Sequence, residues 1–454
     1  MANSRKSNSS LVERVSGALC LLVPRGRSIL LGLSGGMDSV VLLHLLHTLA
    51  PRFGWRLAAL HVHHGISPNA NAWASFCTDL CSRYKIPLHI EHVDIAPLRD
   101  EHGIEAAARK LRHAAFAKRE TDFVALAQHA DDQVETLLLQ LLRGAGIKGA
   151  AAMPLLKPAD THRHATLRPL LNIPRSMLLD YAQQHGLQWV EDESNADESY
   201  PRNFLRHRLL PLLEQKFPAY RATLTRSAHH FAEASELLDE LAQQDAQGWT
   251  GDAPLAVSLL RTLSPSRAKN LLRYFLHAHG MPMPHGAQLD EMLHQLCRAG
   301  GDSAVCVDSG IWQVRRFQNQ VYALRTLPEF DRNLVLPWHG EAELDWPALN
   351  IRLSFTQRQG QGISLNKLQR GSVTLRLRGG GEALRSYPNA ATRSLKNLLQ
   401  EHHIPPWQRE RLPLLYCGDE LACVVGIAIA ADFQVSDSES GIVVAWAEGV
   451  LNFV

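Results

Sequence analysis

Two periodicities alternate over the first part of the chain. Short, compact apolar runs recur at residues 28–33, 57–62, 88–93 and 123–127, each of a length that suits a buried strand. Between them, around 70–84 and 105–119, apolar positions return every three or four residues, the spacing of an amphipathic helix. The alternation predicts an α/β fold, a doubly wound parallel sheet with right-handed crossovers, whose ligands sit at the carboxyl ends of the strands. Later the pattern changes. Residues 217–299 are rich in Leu, Ala and His at helical spacing, with a break at Gly280-Met281-Pro282-Met283-Pro284, and 302–324 predicts a hairpin. A Pro-rich junction at 327–337 then precedes short alternating strands. The expected organisation is an α/β domain over 1–215, a helical domain over 216–328 and a smaller α+β domain over 329–454, in keeping with about three domains for a chain of 454 residues.

The first apolar run leads directly into Ser34-Gly35-Gly36-Met37-Asp38-Ser39, after which Val40, Leu43, Leu46 and His47 follow at helical spacing. A strand, a glycine loop and a helix start turn unpaired N–H groups and the positive end of the helix dipole toward one point. That predicts an anion site, most simply for phosphate. Gly35 and Gly36 let the backbone approach a ligand, and the hydroxyls of Ser34 and Ser39 add donors. A Walker A loop does not fit, because Met37 and Asp38 stand where it needs Lys and Ser or Thr, and a dinucleotide fingerprint lacks its third glycine.

The segments after the other strands are also rich in chemistry. His61-Val62-His63-His64-Gly65 is expected to follow the second strand and His129-Ala130-Asp131-Asp132-Gln133-Val134-Glu135-Thr136 the fourth. If the latter opens a helix, Asp131 and Glu135 share a face, with Asp132 beside them in the first turn. Carboxylates next to a phosphate site can hold Mg²⁺ or a substrate ammonium; Asp131 or Asp132 could equally cap the helix. An Ala-rich helix carries Arg109 and Arg112, a glycine-punctuated basic loop begins at Arg143, and Arg168-Pro169-Leu170-Leu171 precedes another helix. The densest polar stretch, 189–206, is an acidic loop containing Asn195 that runs into a basic helix with Arg202, Asn203 and Arg206.

Composition narrows the class. With 45% hydrophobic and 20% charged residues this is an ordinary soluble chain, and no signal peptide or membrane span is predicted, so a cytoplasmic protein without a membrane partner is expected. Seven scattered cysteines argue against a disulfide framework, and Cys77 and Cys81 read as buried thiols. The net charge is only +2, but it is unevenly spread. Arg202, Arg206, Arg208, Lys216, Arg221 and Arg226 face a single local acid, Glu214, and 352–411 holds eleven basic residues against Glu382, Glu401 and Glu410. Two basic fields on a nearly neutral chain suit a polyanion docked at defined places; solvated arginine faces would give the same count.

Taken together, SGGMDS at 34–39, HVHHG at 61–65, EAAAR at 105–109, HADDQVET at 129–136, the basic loop at 143–149 and WVEDESNADESYPRNFLRH at 189–207 resemble, in order, the tRNA(Ile)-lysidine synthetases of the N-type ATP pyrophosphatase, or PP-loop, superfamily. The stretch from Arg378 and Gly379-Gly380-Gly381 through Lys396 to Trp407 is similar to that family's C-terminal tRNA-binding domain. The resemblance implies ligation of free L-lysine to C2 of the wobble cytidine in the CAU anticodon of a minor isoleucine tRNA. It further implies an adenylated cytidine, release of pyrophosphate and AMP, and a change of reading from AUG to AUA and of identity from Met to Ile. ATP and Mg²⁺ are the implied cofactors, and a homodimer is compatible with it. Ser34, Gly35, Gly36, Met37, Asp38, Ser39, His61 and His129 would bind the nucleotide, with Asp38 and Asp131 on the metal. Asp38, Arg112, Asp131, Asp132 and Glu135 would carry the chemistry. Arg143, Asn195, Arg202, Asn203, Arg206, Arg378 and Lys396 would contact tRNA. A tRNA thiolase of the same superfamily needs a sulfur-carrying cysteine near the loop, whereas Cys77 and Cys81 fall on a predicted helix. Small-molecule ligases with this loop leave the two basic fields unexplained, and a non-catalytic RNA-binding protein leaves the acid cluster without a purpose.

Overall fold

The first apolar run forms an interior strand of a six-stranded sheet, which explains why it is apolar without alternation: both of its faces are covered. The computed structural model describes residues 10–159, 164–251, 253–298, 300, 305–326 and 329–448, and the chain divides into two compact units, residues 1–244 and 245–454. The first unit opens with α1 (Leu11–Leu22), closed at its N-terminus by a capping box of Ser10 and Glu13. There follow β1 (Ser28–Gly32), α2 (Met37–Phe53), β2 (Arg56–His63), α3 (Ala70–Tyr84), β3 (Leu88–His92), α4 (Ala96–His102), α5 (Ile104–Ala117) and β4 (Phe123–Ala125). Then come α6 (Ala130–Leu142), α7 (Ile147–Ala150), β5 (Leu156–Lys157), β6 (Ala165–Leu167) and α8 (Arg175–Gln184). The strand order is β3-β2-β1-β4-β6-β5, parallel throughout except for the β5/β6 edge pair. Ile29 and Leu31 pack with the leucines and valines of α2, while Leu30 points the other way, onto Phe116 and Ala115 of α5. With β2 on one side of β1 and β4 on the other, the order reverses here and opens a crevice at the carboxyl ends of β1 and β4. At the opposite end Asp122 ties the same two strands together, accepting from Ser28 N at 2.8 Å, Ser28 Oγ at 2.7 Å and Arg27 Nη1 at 2.8 Å.

Residues 147–150, expected in a loop, form the short helix α7. The acidic stretch folds as a 3₁₀ turn over Glu193–Ala196 and enters α9 (Pro201–Phe204), a π-turn over Leu205–Leu209, α10 (Leu210–Lys216) and α11 (Tyr220–Asp245). Tyr220, Leu224, Ala228 and Phe231 of α11 pack with Val134, Leu137 and Leu138 of α6, so the first unit extends well past residue 215.

The second unit begins with β7 (Leu255–Ala256), α12 (Val257–Thr262), α13 (Pro265–Ala278), α14 (Gly286–Arg298), β8 (Val305–Ser309), β9 (Trp312–Phe317) and β10 (Gln320–Arg325). The region expected to be helical therefore carries a four-stranded sheet, β7-β10-β9-β8, against which its helices pack. Residues 302–304 of the expected hairpin and the Leu327-Pro328 step of the expected junction lie outside the described residues. The remainder holds β11 (Val335–Pro337), β12 (Glu343–Trp346), β13 (Ile351–Gln359), β14 (Ile363–Ser364), α15 (Leu365–Leu368) and β15 (Val373–Arg376). It continues through β16 (Ala383–Leu384), β17 (Arg393–Ser394), α16 (Leu395–Glu401), α17 (Pro406–Arg409), β18 (Leu414–Cys417), β19 (Glu420–Val424), β20 (Ala428–Ile429) and β21 (Ser440–Glu448). The sheets β11-β15-β18-β19-β20 and β12-β13-β21-β14 share one apolar core. Among the described residues no helix is long and apolar enough to cross a membrane.

Candidate active site

The loop after β1 is shaped by its two glycines in different ways. Gly35 takes φ +88°, and a Cβ there would lie 2.9 Å from Val190 Cγ2, so both backbone and packing require glycine. Gly36, the N-cap of α2 at φ −69°, would place a Cβ 3.5 Å from Ser34 Oγ, an ordinary contact. The loop braces itself: Ser39 Oγ donates to the Gly36 carbonyl at 2.8 Å, Gly36 N donates to Ser34 Oγ at 3.3 Å, and the two hydroxyls are 3.1 Å apart. The N–H groups of Met37 and Asp38, first in the helix, lie where a helix offers them no internal acceptor. Met37 presents only backbone to a ligand, since its side chain is in the core.

His61 was expected beyond β2 and instead lies within it, because the strand continues to His63. It is buried, with Nδ1 2.9 Å from the Leu33 carbonyl and 3.6 Å from Cys77 Sγ, and so supports the strand end that carries the loop. Cys77 and Cys81 are free, buried thiols that burial pushes up to about 12 and about 11, the opposite of what a sulfur carrier needs.

Opposite the loop, at the end of β4, His129 caps α6; neither Asp131 nor Asp132 is the cap. Asp132 N donates to His129 Nδ1 at 3.4 Å, and Asp132 Oδ2 accepts from His129 N at 3.0 Å. With Nδ1 as acceptor, the neutral ring keeps its proton on Nε2, 3.5 Å from Asp132 Oδ2 and 3.6 Å from Asp38 Oδ2. Burial lowers the His129 pKa, but Asp38, Asp132 and Asp131 outweigh it and raise the value above that of an ordinary histidine.

The acids of α6 are met by arginines from distant segments. Asp131 Oδ1 accepts from Arg221 Nε at 2.6 Å and Oδ2 from Arg175 N at 3.0 Å. Burial would raise this carboxyl, but those donors hold it below its usual value. Glu135 is fully buried and receives Arg206 as a fork, Nε to Oε1 at 2.8 Å and Nη2 to Oε2 at 3.0 Å. Arg202 Nε stands 3.0 Å from Oε2 without hydrogen-bond alignment, an ion pair only, while its Nη2 donates to Thr136 Oγ1 at 3.0 Å. Burial pushes the Glu135 carboxyl up and opposes the Arg206 charge; Glu135 and Asp132 outweigh that on Arg206, and the fork keeps the pair ionised. Asp38 alone of the four acids keeps an oxygen, Oδ1, that is buried without a hydrogen-bond partner, with Arg175 Nε 3.8 Å away. A cavity of about 520 Å³ lined by Asp131, Glu135, Arg175, Arg206, Tyr220 and Arg221 opens beside this cluster, and a second, of about 710 Å³, lies at the ends of β2 and β3 between His63, His64, His92 and Asp94.

Three of the six bases in the first basic field, Arg202, Arg206 and Arg221, are thus matched by α6 carboxylates and are not a free cationic face. Asn203 is turned inward, donating to the Ser194 and Asp197 carbonyls at 3.0 and 2.8 Å, and the Asn195 carbonyl lies 2.8 Å from His207 Nε2. Arg112 and Arg143 are exposed, on α5 and at the C-cap of α6. In the second unit Lys396 is exposed on α16, and Arg378 Nε lies 3.7 Å from Glu382 Oε2. The other Glu382 oxygen accepts from Gly379 N at 2.6 Å and Gly380 N at 2.8 Å, so a carboxylate of the chain itself occupies the N–H groups of this turn. Sequence reasoning missed Arg175 and did not pair Arg221 with an acid of α6. Arg175, just after Pro174 at a helix start, carried a weak positional signal, whereas Arg221 carried none beyond its charge.

Residues 8–213 match the PP-loop domain family, 255–322 the TilS substrate binding domain and 373–446 the TilS substrate C-terminal domain. The tRNA(Ile)-lysidine synthase of Nitrosomonas europaea is 46% identical over 434 residues, 94% of each chain. The chain belongs to the tRNA(Ile)-lysidine synthase family. Further relatives with that name occur in Azoarcus sp., 42% identical over 91% of this chain and 90% of the relative, and in Coxiella burnetii, 38% identical over 90% of each. In this lysidine synthase family member the PP-loop match covers the loop, α6 and the arginines of α9 and the π-turn, whereas Arg221 lies beyond it.

Proposed function

We propose that this chain joins free L-lysine, through its ε-amine, to C2 of the wobble cytidine in the CAU anticodon of a minor isoleucine tRNA, using ATP. The observation that carries this reading is the meeting of a phosphate loop and a balanced acid–arginine cluster across one crevice of the sheet. In the first step the cytidine C2 carbonyl oxygen bonds to the α-phosphate as the bond to pyrophosphate breaks. The loop N–H groups and the Ser34 and Ser39 hydroxyls take up the charge of the departing pyrophosphate. In the second the amine bonds to C2 and AMP leaves with the former carbonyl oxygen. A lysine ammonium, with pKa near ~10.4, must lose a proton first. In this reading one of Asp131, Asp132 and Glu135 takes it, and the nearness of Asp132 Oδ2 to His129 Nε2, 3.5 Å, favours Asp132. The cavity lined by both Asp131 and Glu135 and by Arg175 and Arg221 suits a zwitterion, offering partners to ammonium and carboxylate alike.

Asp38 Oδ1, buried and without a hydrogen-bond partner, fits Mg²⁺, which favours one or two carboxylates and completes its shell with phosphate oxygens and water. Bound there, the ion would offset charge on the phosphates. Asp131 has both oxygens engaged and fits less well. Residues 1–244, which include Arg221, supply the catalytic machinery in this reading, and the tRNA is held in the cytoplasm by Arg143 of this unit and by Arg378 and Lys396 of residues 329–454 against its backbone.

The test is pyrophosphate exchange into ATP, with mass spectrometry of the tRNA product. Because the base is the adenylated group, exchange should require tRNA, proceed without lysine and stop when the wobble cytidine is replaced by uridine. Lysine added to the full reaction should yield lysidine. Exchange supported by lysine and ATP alone would place the adenylate on the amino acid and sink this order of steps.

A further inference from the structure

Arg168 immediately follows β6, in a stretch to which the proposed reaction gives no task. The residue is 5% exposed. Its Nε donates to Gln128 Oε1 at 2.5 Å and its Nη1 to the Pro154 carbonyl at 2.9 Å. Both acceptors are neutral, and among the described residues no carboxylate stands within ion-pair distance of this guanidinium. The charge it does feel has its own sign: burial and, after it, Arg109 of α5 lower its pKa to about 10. A buried guanidinium with no counter-charge is costly and is not kept by packing alone. The contrast with the arginines that meet α6 is plain, since Arg202, Arg206 and Arg221 each have a carboxylate partner. Its position matters as well. Gln128 immediately precedes His129, so Arg168 is bonded to the loop that delivers the cap of α6, at the carboxyl edge of the sheet where the crevice opens.

We propose that Arg168 and Arg109 form an anion site on the rim of the catalytic crevice that takes one phosphate group, from ATP or from the RNA backbone beside the wobble base. The inference rests on the reaction proposed above and adds a contact to it. A phosphate supplies the missing counter-charge, and Arg109, exposed on its helix, can close on it from the solvent side. Occupancy would also hold Gln128, and through it the segment bearing His129, in one place.

The test uses the full-length protein as wild type, Arg109→Ala, Arg168→Lys and Arg168→Met. It reads ATP affinity without tRNA, tRNA affinity without ATP over a salt series, and the thermal midpoint. Arg109→Ala and Arg168→Met should each weaken one of the two ligands about tenfold, with Arg168→Lys intermediate. A loss confined to ATP identifies a nucleotide phosphate. A loss in tRNA affinity, with a salt slope smaller by about one, identifies a backbone phosphate. Arg109 is exposed, so its variant remains folded and decides the question if Arg168→Met does not fold. Unchanged affinities for both ligands in Arg109→Ala and in the folded Arg168 variant overturn the site and reduce Arg168 to a brace between Gln128 and Pro154. Lysidine formation by the wild type, assayed alongside, separates the two failures: an active wild type with indifferent variants sinks only the anion site, and an inactive wild type sinks the reaction.

Discussion

Asp122 stands at the far end of the sheet from the chemistry, yet it fixes the two strands whose other ends form the crevice. Hydrogen bonds from Ser28 N and Ser28 Oγ, followed by the Arg27 guanidinium, depress its carboxyl to about 2. A carboxyl depressed in the folded state stabilises the fold above its unfolded pKa of ~3.9, and that contribution disappears as pH falls toward 2. The Asp122→Asn variant should therefore be less stable at neutral pH, by about 1 kcal/mol once solvent screening is allowed for, and should match the wild type at pH 2. Denaturant melts at several pH values check this; a constant difference down to pH 2 would mean that shape, not charge, matters at this site. Single residues were legible in the sequence when their partners were local. Ser34, Gly35, Gly36 and Asp38 sit within one turn of chain and could be read together. The partners of Glu135 and Asp131 could not, because Arg206 and Arg221 lie 71 and 90 residues away and meet them only through the packing of α9 to α11 on α6.

Among the elements, the loop between β1 and α2 separates two uses of glycine. Gly35→Ala forces a left-handed residue against Val190 and should cost about 1–2 kcal/mol of stability, visible as a lower thermal midpoint. Gly36→Ala meets no obstacle in the fold and should keep the wild-type midpoint while raising the KM for ATP severalfold, because the added methyl stands where phosphate oxygens approach. Equal thermal midpoints for the two variants would remove the distinction. The strand and helix pattern of residues 28–125 was legible because buried parallel strands are short continuous apolar runs and the covering helices are amphipathic. β5 and β7, two residues each, carry no period at all, and the sheet of the second unit was therefore read as helix with a hairpin. The cap of α6, for which the sequence offered Asp131 or Asp132 as an alternative to ligand binding, is His129: Asp is a frequent N-cap and His is not, and the ring wins here through its contact with Asp132 N.

For the molecule as a whole, the place to divide the chain is after Gln244. A fragment ending near 215 would lose Arg221 and uncover the Val134 and Leu137 face of α6, whereas residues 1–244 keep both. The 1–244 fragment should melt cooperatively and bind ATP like the full chain, with tRNA affinity reduced at least about tenfold by loss of the second basic field. Undiminished tRNA binding by the fragment would confine recognition to the first unit. The limit of the first unit was not legible, since α11 continues the first core past residue 215 without any sequence punctuation. The fork between Glu135 and Arg206 bears on how such a chain can change over generations. Removing Arg206 leaves the fully buried Glu135 carboxylate with only the unaligned Arg202, and removing Glu135 costs less, since Arg206 is 32% exposed and keeps Asp132, while replacing both with apolar residues of matching volume would be close to neutral for folding. For the fold, substitutions here are therefore harmful one at a time and tolerable only in company. The path between two stable sequences crosses a valley, and lineages inherit the pair as a single character.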